Sequence, residues 1–298
     1  MTSFSALVKR NTKLFFKDKA MFFTSLITPM ILLVLYSTFL AGVYRDSFAS
    51  SIPGTLAIEE KLIDGTVAAQ LVSSLLAVSS VTVAFCSNLL MVQDKVSGAR
   101  RDLCVSPVKR STLAAAYFVS SALVTLIITF SALGVCLLYV LKKGWYLSGA
   151  DVALLFLDVF LLTLFGVALS SCVNFFLSTN GQSSAVGTIV SAGYGFVCGA
   201  YMPISSFSGG LQKALSFLPG TYATSLIRNH AMRGAFSEME SLGFPPEAMK
   251  GIRDSVDCNL YFFEKSVSVP AMYAVLGASV AVFVLLYILF NVLNKKES

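Results

Sequence analysis

Five stretches of this 298-residue chain hold no Asp, Glu, Lys or Arg: those between Lys19 and Arg45, Asp64 and Asp94, Arg110 and Lys142, Asp158 and Lys213, and Lys265 and Lys295. Each is rich in Leu, Val, Ile, Phe and Ala and exceeds the roughly 20 apolar residues that cross a hydrocarbon core about 30 Å thick. The fourth is long enough for most of one crossing and all of the next. The pattern therefore predicts six helices, near 21–44, 68–92, 112–141, 152–177, 183–201 and 270–293. Backbone in hydrocarbon must satisfy its own N–H and C=O groups, and apolar runs this long do so as helices rather than as strands of alternating polarity. The predicted fold class is an all-α integral membrane protein in a single transmembrane domain over 1–298.

Composition agrees, with 56% hydrophobic and 13% charged residues, about half the charge of an average soluble domain. The net charge of +6 matters through its placement. Lys9, Arg10, Lys13, Lys17 and Lys19 precede the first span, and Lys95, Arg100, Arg101, Lys109 and Arg110 follow the second. The positive-inside rule puts both groups in the cytoplasm, and with six spans Lys295 and Lys296 return there. The expected location is a bacterial plasma membrane, both termini cytoplasmic. Lys142 and Lys143 fall on the wrong side of this topology. The basic balance reports orientation, so nucleic acid is not an expected partner.

Within 1–20, Phe4, Leu7, Val8, Asn11, Leu14 and Phe15 share one helical face and Lys9, Lys13 and Lys17 the other. That is the pattern of an amphipathic helix on anionic lipid headgroups, the alternative being a solvated tail. The first span is too long for a cleavable signal and should act as an uncleaved anchor. Of six cysteines only Cys258 falls in an external loop, no Cys-x-x-Cys pair exists and His230 is the only histidine. Neither a disulfide framework, a metal site nor a His-based triad is expected. The external loop 203–269 turns polar at Met202-Pro203, offers an apolar stretch at 211–218 too short to cross, and ends in Pro219-Gly220. Short helices re-entering the outer leaflet are expected there, followed by a small external subdomain over 236–264. No internal repeat supports an inverted-repeat carrier.

The cytoplasmic loop 93–111 contains Asp94, then Gly98, then Leu103-Cys104-Val105-Ser106-Pro107. This resembles the acidic-x-x-x-Gly and Leu-x-x-Ser-Pro pattern of permease subunits of ABC transporters of the type-two export class, also called type V exporters. Met202-Pro203, Leu211, Leu215, Leu218-Pro219, Tyr222 and Arg228 are similar to the stretch that follows the fifth span in that family. Asp94 stands where many members have Glu. The resemblance implies a permease that dimerises with a second copy or a paralogue and sits on separate ABC-type ATPase subunits, the short helix of this loop docking into each. Asp94, Gly98, Leu103, Ser106 and Pro107 are the implied coupling residues. No G-x-x-x-x-G-K-[ST] phosphate loop occurs in the chain, so ATP and Mg are expected on the partner ATPase, with no cofactor bound by this chain.

Inside the spans, Gln70, Ser73, Ala77, Ser80, Ala84 and Ser87 recur at helical spacing in the second, and Gly187, Ser191, Gly195 and Gly199 make small-xxx-small steps in the fifth. Close helix packing explains both patterns. The resemblance adds an alternative, because in that family the second and fifth spans border the translocation route. Asp158 is a charge well inside a span, on a face with Gly166, Ser170 and Asn174, and an intramembrane carboxylate is a candidate functional group; a structural, hydrogen-bonded Asp is the alternative. The implied function is outward transport of an amphipathic drug-, peptide- or lipid-like molecule. Polysaccharide or glycolipid export, ion-coupled transport through Asp158 and a membrane enzyme are the competing classes, the last lacking any catalytic constellation.

Overall fold

The computed structural model describes residues 3–50 and 59–293 and is almost entirely helical. Its elements are α1 (Ser3–Lys17), α2 (Lys19–Leu35), a π-helical turn (Tyr36–Leu40), α3 (Ala41–Ser50), α4 (Glu60–Ser87), α5 (Leu89–Val96), α6 (Ala99–Val105), α7 (Arg110–Lys143), α8 (Gly149–Phe176), α9 (Asn180–Val197), α10 (Gly209–Leu215), α11 (Pro219–Ser241), α12 (Pro246–Ser255), a hairpin of β1 (Leu260–Phe262) and β2 (Lys265–Val267), and α13 (Val269–Leu293). Lys295 and Lys296 lie outside the described residues.

Among the described residues five helices are long and apolar enough to cross a membrane: Lys19–Asp46, Glu60–Val96, Arg110–Lys143, Gly149–Phe176 and Val269–Leu293. They match five of the six predicted spans. The stretch predicted as the remaining one contains α9, whose 18 residues reach about 27 Å at 1.5 Å per residue. Asn180, Gln182, Ser183 and Ser184 in its first turns and its four glycines keep it out of that apolar class.

Local chemistry sets the ends. The Met21 N–H donates to Asp18 at the start of α2, Ser148 and Asp151 form a reciprocal capping box on α8, and Thr179 accepts from the Gln182 N–H on α9, each satisfying donors that the first turn leaves unpaired. Lys142 and Lys143 occupy the last turn of α7. Positive charge there complements the negative end of the helix dipole.

Helix α4 is the central post, buried along nearly its whole length and packed by α2, α7, α8, α9 and α11. Small residues serve one of these crossings directly: a Cβ on Gly166 of α8 would lie 3.1 Å from the Ser80 carbonyl oxygen and Val81 Cα. Outward, α2 exposes Phe23, Ile27, Met30, Ile31 and Val34, and α13 exposes Leu285, Ile288, Leu289 and Val292. Apolar surface on that scale belongs against lipid or another protein, not water.

Two expectations change. In α1, Leu7, Asn11 and Phe15 turn inward, two of them against side chains of α7, because their i, i+4, i+8 spacing makes a protein-facing stripe. Phe4, Leu14 and Phe16 remain exposed beside the lysines. The loop 203–269 also differs from the expected layout. After the short α10, α11 is a 23-residue helix with His230 and Arg228 buried against α4, α8 and α13. Ion-pair partners elsewhere in the fold let these polar residues enter the core.

Candidate functional site

At one end of the bundle the loop 93–111 is built as a rigid projection. Gly98 adopts φ +83, a left-handed conformation costly for residues with a Cβ, and its carbonyl accepts the Arg101 N–H at 2.9 Å to start α6. The Ser106 hydroxyl donates back to the Leu103 carbonyl at 2.6 Å, and Pro107 prevents continuation. Leu103 and Cys104 are half-buried against a cluster that includes Leu113, Tyr117 and Tyr287. Val105 points away, 89% exposed. Such exposure of an apolar side chain on a short helix is not read from motif spacing alone.

Asp94 is not a surface residue of this loop. It is buried, receiving two bonds from the Arg10 guanidinium at 2.7 and 3.1 Å and one from the Tyr117 hydroxyl at 2.5 Å. The bond to Asp94, against opposing burial, holds the Arg10 pKa above its ordinary value. This clasp joins α1, α5 and α7. Next to it, the Lys95 ammonium donates to the carbonyls of Asn174, Phe175 and Leu177, satisfying acceptors that the end of α8 leaves free. Where α4 breaks into α5, Asn88 donates to Ser170 and Ser171 at 2.8 Å and accepts from Ser121 at 3.0 Å. The projection is therefore bonded to three helices, α1, α7 and α8.

The small-residue patterns divide. Ser73 and Ser80 donate to the carbonyls of Gln70 and Leu76 in their own helix, and Ser87 pairs with Thr125 at 2.7 Å. All three are buried among the helices of the chain. In α9, Gly195 lies under its own chain: a Cβ there would meet Tyr201 Cδ2 at 2.5 Å. Gly199 has left α9 for a turn at φ +75, where a Cβ would meet Ile204 and Asp257. Gly187 has open space at its Cβ position and Ser191 is half-buried. The four residues thus do not form one contact stripe, because the chain reverses after Val197.

The opposite end holds two buried polar clusters. Arg228 is 1% exposed; it donates to Asp257 at 3.1 Å, Val256 O at 3.0 Å, Ser74 at 3.0 Å and Gly199 O at 2.6 Å. Asp257 also accepts the Ile204 N–H at 2.7 Å. Burial raises its pKa, opposed by the Arg228 charge. Deeper, Asp158 contacts His230 Nδ1 at 2.6 Å and accepts the Tyr273 hydroxyl at 2.5 Å, linking α8, α11 and α13. Gly166, Ser170 and Asn174 share its helix but not this cluster. Pairing of the lone histidine with Asp158 was invisible in the sequence, where 72 residues separate them.

These features define a polytopic helical membrane protein with a rigid projection between its second and third spans. Residues 51–293 match the model of the family described as ABC-2 family transporter protein, and the chain belongs to that family. It is a membrane transport subunit of a family whose members generally work with an ABC ATPase. No curated protein matches the chain.

Proposed function

We propose that this chain is the permease of an ATP-driven exporter, moving an amphipathic drug-, peptide- or lipid-like molecule out of the cell. Six spans, α9 included, place both termini and α6 in the cytoplasm, and α10 re-enters the outer leaflet. Two such permeases, copies or paralogues, engage separate ATPases that bind ATP and Mg. The observation that carries this reading is the exposed tip of α6 on a loop bonded to α1, α7 and α8. A rigid lever of that kind conveys motion from a docked ATPase into the spans, with Asp94 acting by holding the lever through Arg10 and Tyr117.

A cysteine at Val105 is expected to crosslink to the cognate ATPase, and Val105→Asp to weaken the complex about ten-fold, since losing a central apolar contact costs roughly 1–2 kcal/mol. Thermal stability should not change, because the side chain packs on almost nothing. Full ATPase binding and transport in Val105→Asp, with no crosslink, would reject this docking site.

A second reading, ion-coupled transport, draws on the Asp158–His230–Tyr273 cluster. Asn at 158 still accepts the Tyr273 hydroxyl but cannot exchange a proton. Asp158→Asn is expected to keep ATP-dependent export, whereas Asp158→Leu, leaving the buried His230 and the half-buried Tyr273 hydroxyl unpaired, should cost roughly 1–3 kcal/mol of stability, chiefly through His230. Transport abolished in a folded Asn variant with ATPase activity intact favours the ion-coupled reading.

A further inference from the structure

The end of the protein away from α6 carries an aromatic patch that neither the Arg228 group nor the Asp158 cluster uses. Phe217, at the corner between α10 and α11, meets Phe262 and Phe263 of the β1–β2 hairpin with ring centroids 5.3 and 5.9 Å away, and the two hairpin rings lie 4.9 Å from each other. All three rings are exposed, as are Leu211, Leu218 and Tyr261 around them. The hairpin turn has positive φ at both central residues, Phe263 (46) and Glu264 (70). Two-residue turns of that kind favour Asn-Gly, whose side chains tolerate the left-handed region. Here a bulky ring occupies the position and points outward, which nothing inside the fold requires.

We propose that this patch is a lipid anchor, seated at the boundary between headgroups and acyl chains in the leaflet on that side. Its height along the bundle supports lipid over water. The Thr221 hydroxyl, four residues past Phe217, donates to the carbonyl of Val197, the last residue of α9, and one residue, Ser268, separates the hairpin from α13. The patch therefore sits level with the ends of membrane helices. Its chemistry matches that boundary: aromatic rings are enriched there, and lysine stems lie along apolar surface with the ammonium directed to headgroups. The Lys213 ammonium stands 5.9 Å from the Phe263 ring centroid, and Glu264 and Lys265 provide a charged rim at the turn.

The inference depends on the chain spanning a bilayer and not on the ATPase partner or the direction of export. Trp145 is the only tryptophan, so Trp145→Phe provides a silent background. On it, Phe263→Trp and, separately, Phe217→Trp are made in the full chain and reconstituted in phosphatidylcholine vesicles. Blue-shifted emission that is lost when the lipid is brominated at upper acyl carbons is expected from both. Emission unaffected by brominated lipid overturns the proposal; iodide in the buffer then tells whether the patch stands in water or is covered by protein, such as a second copy. If one variant does not reconstitute, the other carries the same readout.

Discussion

Arg228→Met is expected to be among the most damaging single substitutions in this protein. The guanidinium compensates the Asp257 carboxylate and also satisfies Ser74 and the carbonyls of Gly199 and Val256. Removing one member of a buried pair leaves the other charge uncompensated, at a cost of about 3–5 kcal/mol, a large share of a total stability of roughly 5–15 kcal/mol. Arg228→Lys should rescue little, since a single ammonium cannot span four acceptors in the guanidinium's fork geometry. Adding Asp257→Asn to Arg228→Met should recover part of the loss by removing the stranded charge. Thermal unfolding of the purified variants in detergent checks both statements. A single variant melting with the wild type, or a double variant worse than the single, would contradict the pairing.

Gly234→Ala should come close behind. A Cβ at this position of α11 would overlap the Tyr146 carbonyl oxygen, with the carbonyl carbon 2.6 Å away. Both are backbone atoms of the segment joining α7 to α8, so no rotamer change relieves the contact. That segment is itself tightly held, because a Cβ on Gly144 would lie 2.6 Å from the Lys61 carbonyl oxygen. Overpacking of this kind costs about 1–3 kcal/mol, and α11, which carries Arg228 and His230, would shift with it. Gly251→Ala in α12 is the control. With nothing within 4 Å of its Cβ position, it should be neutral or stabilise by up to roughly 1 kcal/mol, the ordinary helix preference for Ala over Gly. Equal melting temperatures for the two variants would show that α11 does not approach Tyr146 this closely.

Which parts of this molecule were legible in advance follows from the range of the forces involved. The absence of charge over five long stretches reports a local solvent requirement, the exclusion of unpaired charge from hydrocarbon, and it located four spans within a few residues, while the second begins at Glu60 rather than 68. The α6 projection was equally legible, since Gly98, Ser106 and Pro107 act through their own backbone torsions and hydrogen bonds. Where neighbours in space decide, the pattern was silent. The packing of α11 into the bundle was not readable in the loop 203–269, because Arg228 and His230 count as polar in any window, and each is satisfied by a residue 29 or 72 positions away. The burial of Asp94 was unreadable for the same reason. Its partner Arg10 lies 84 residues upstream, and only the packing of α1 along α7 brings them together.

The sequence by itself therefore determined that the chain is a helical membrane protein and where most of its helices run; the short helix between the second and third of them was implied by the resemblance. The tertiary structure alone decided what the glycines and the buried charges do. Gly195 and Gly199 turned out to shape a chain reversal, and Asp94, Asp158 and Arg228 each found a partner inside the protomer. The physical reason is that hydropathy and backbone torsion are properties of a residue and its neighbours in sequence, whereas the cost of burying a charge depends on what the fold places beside it.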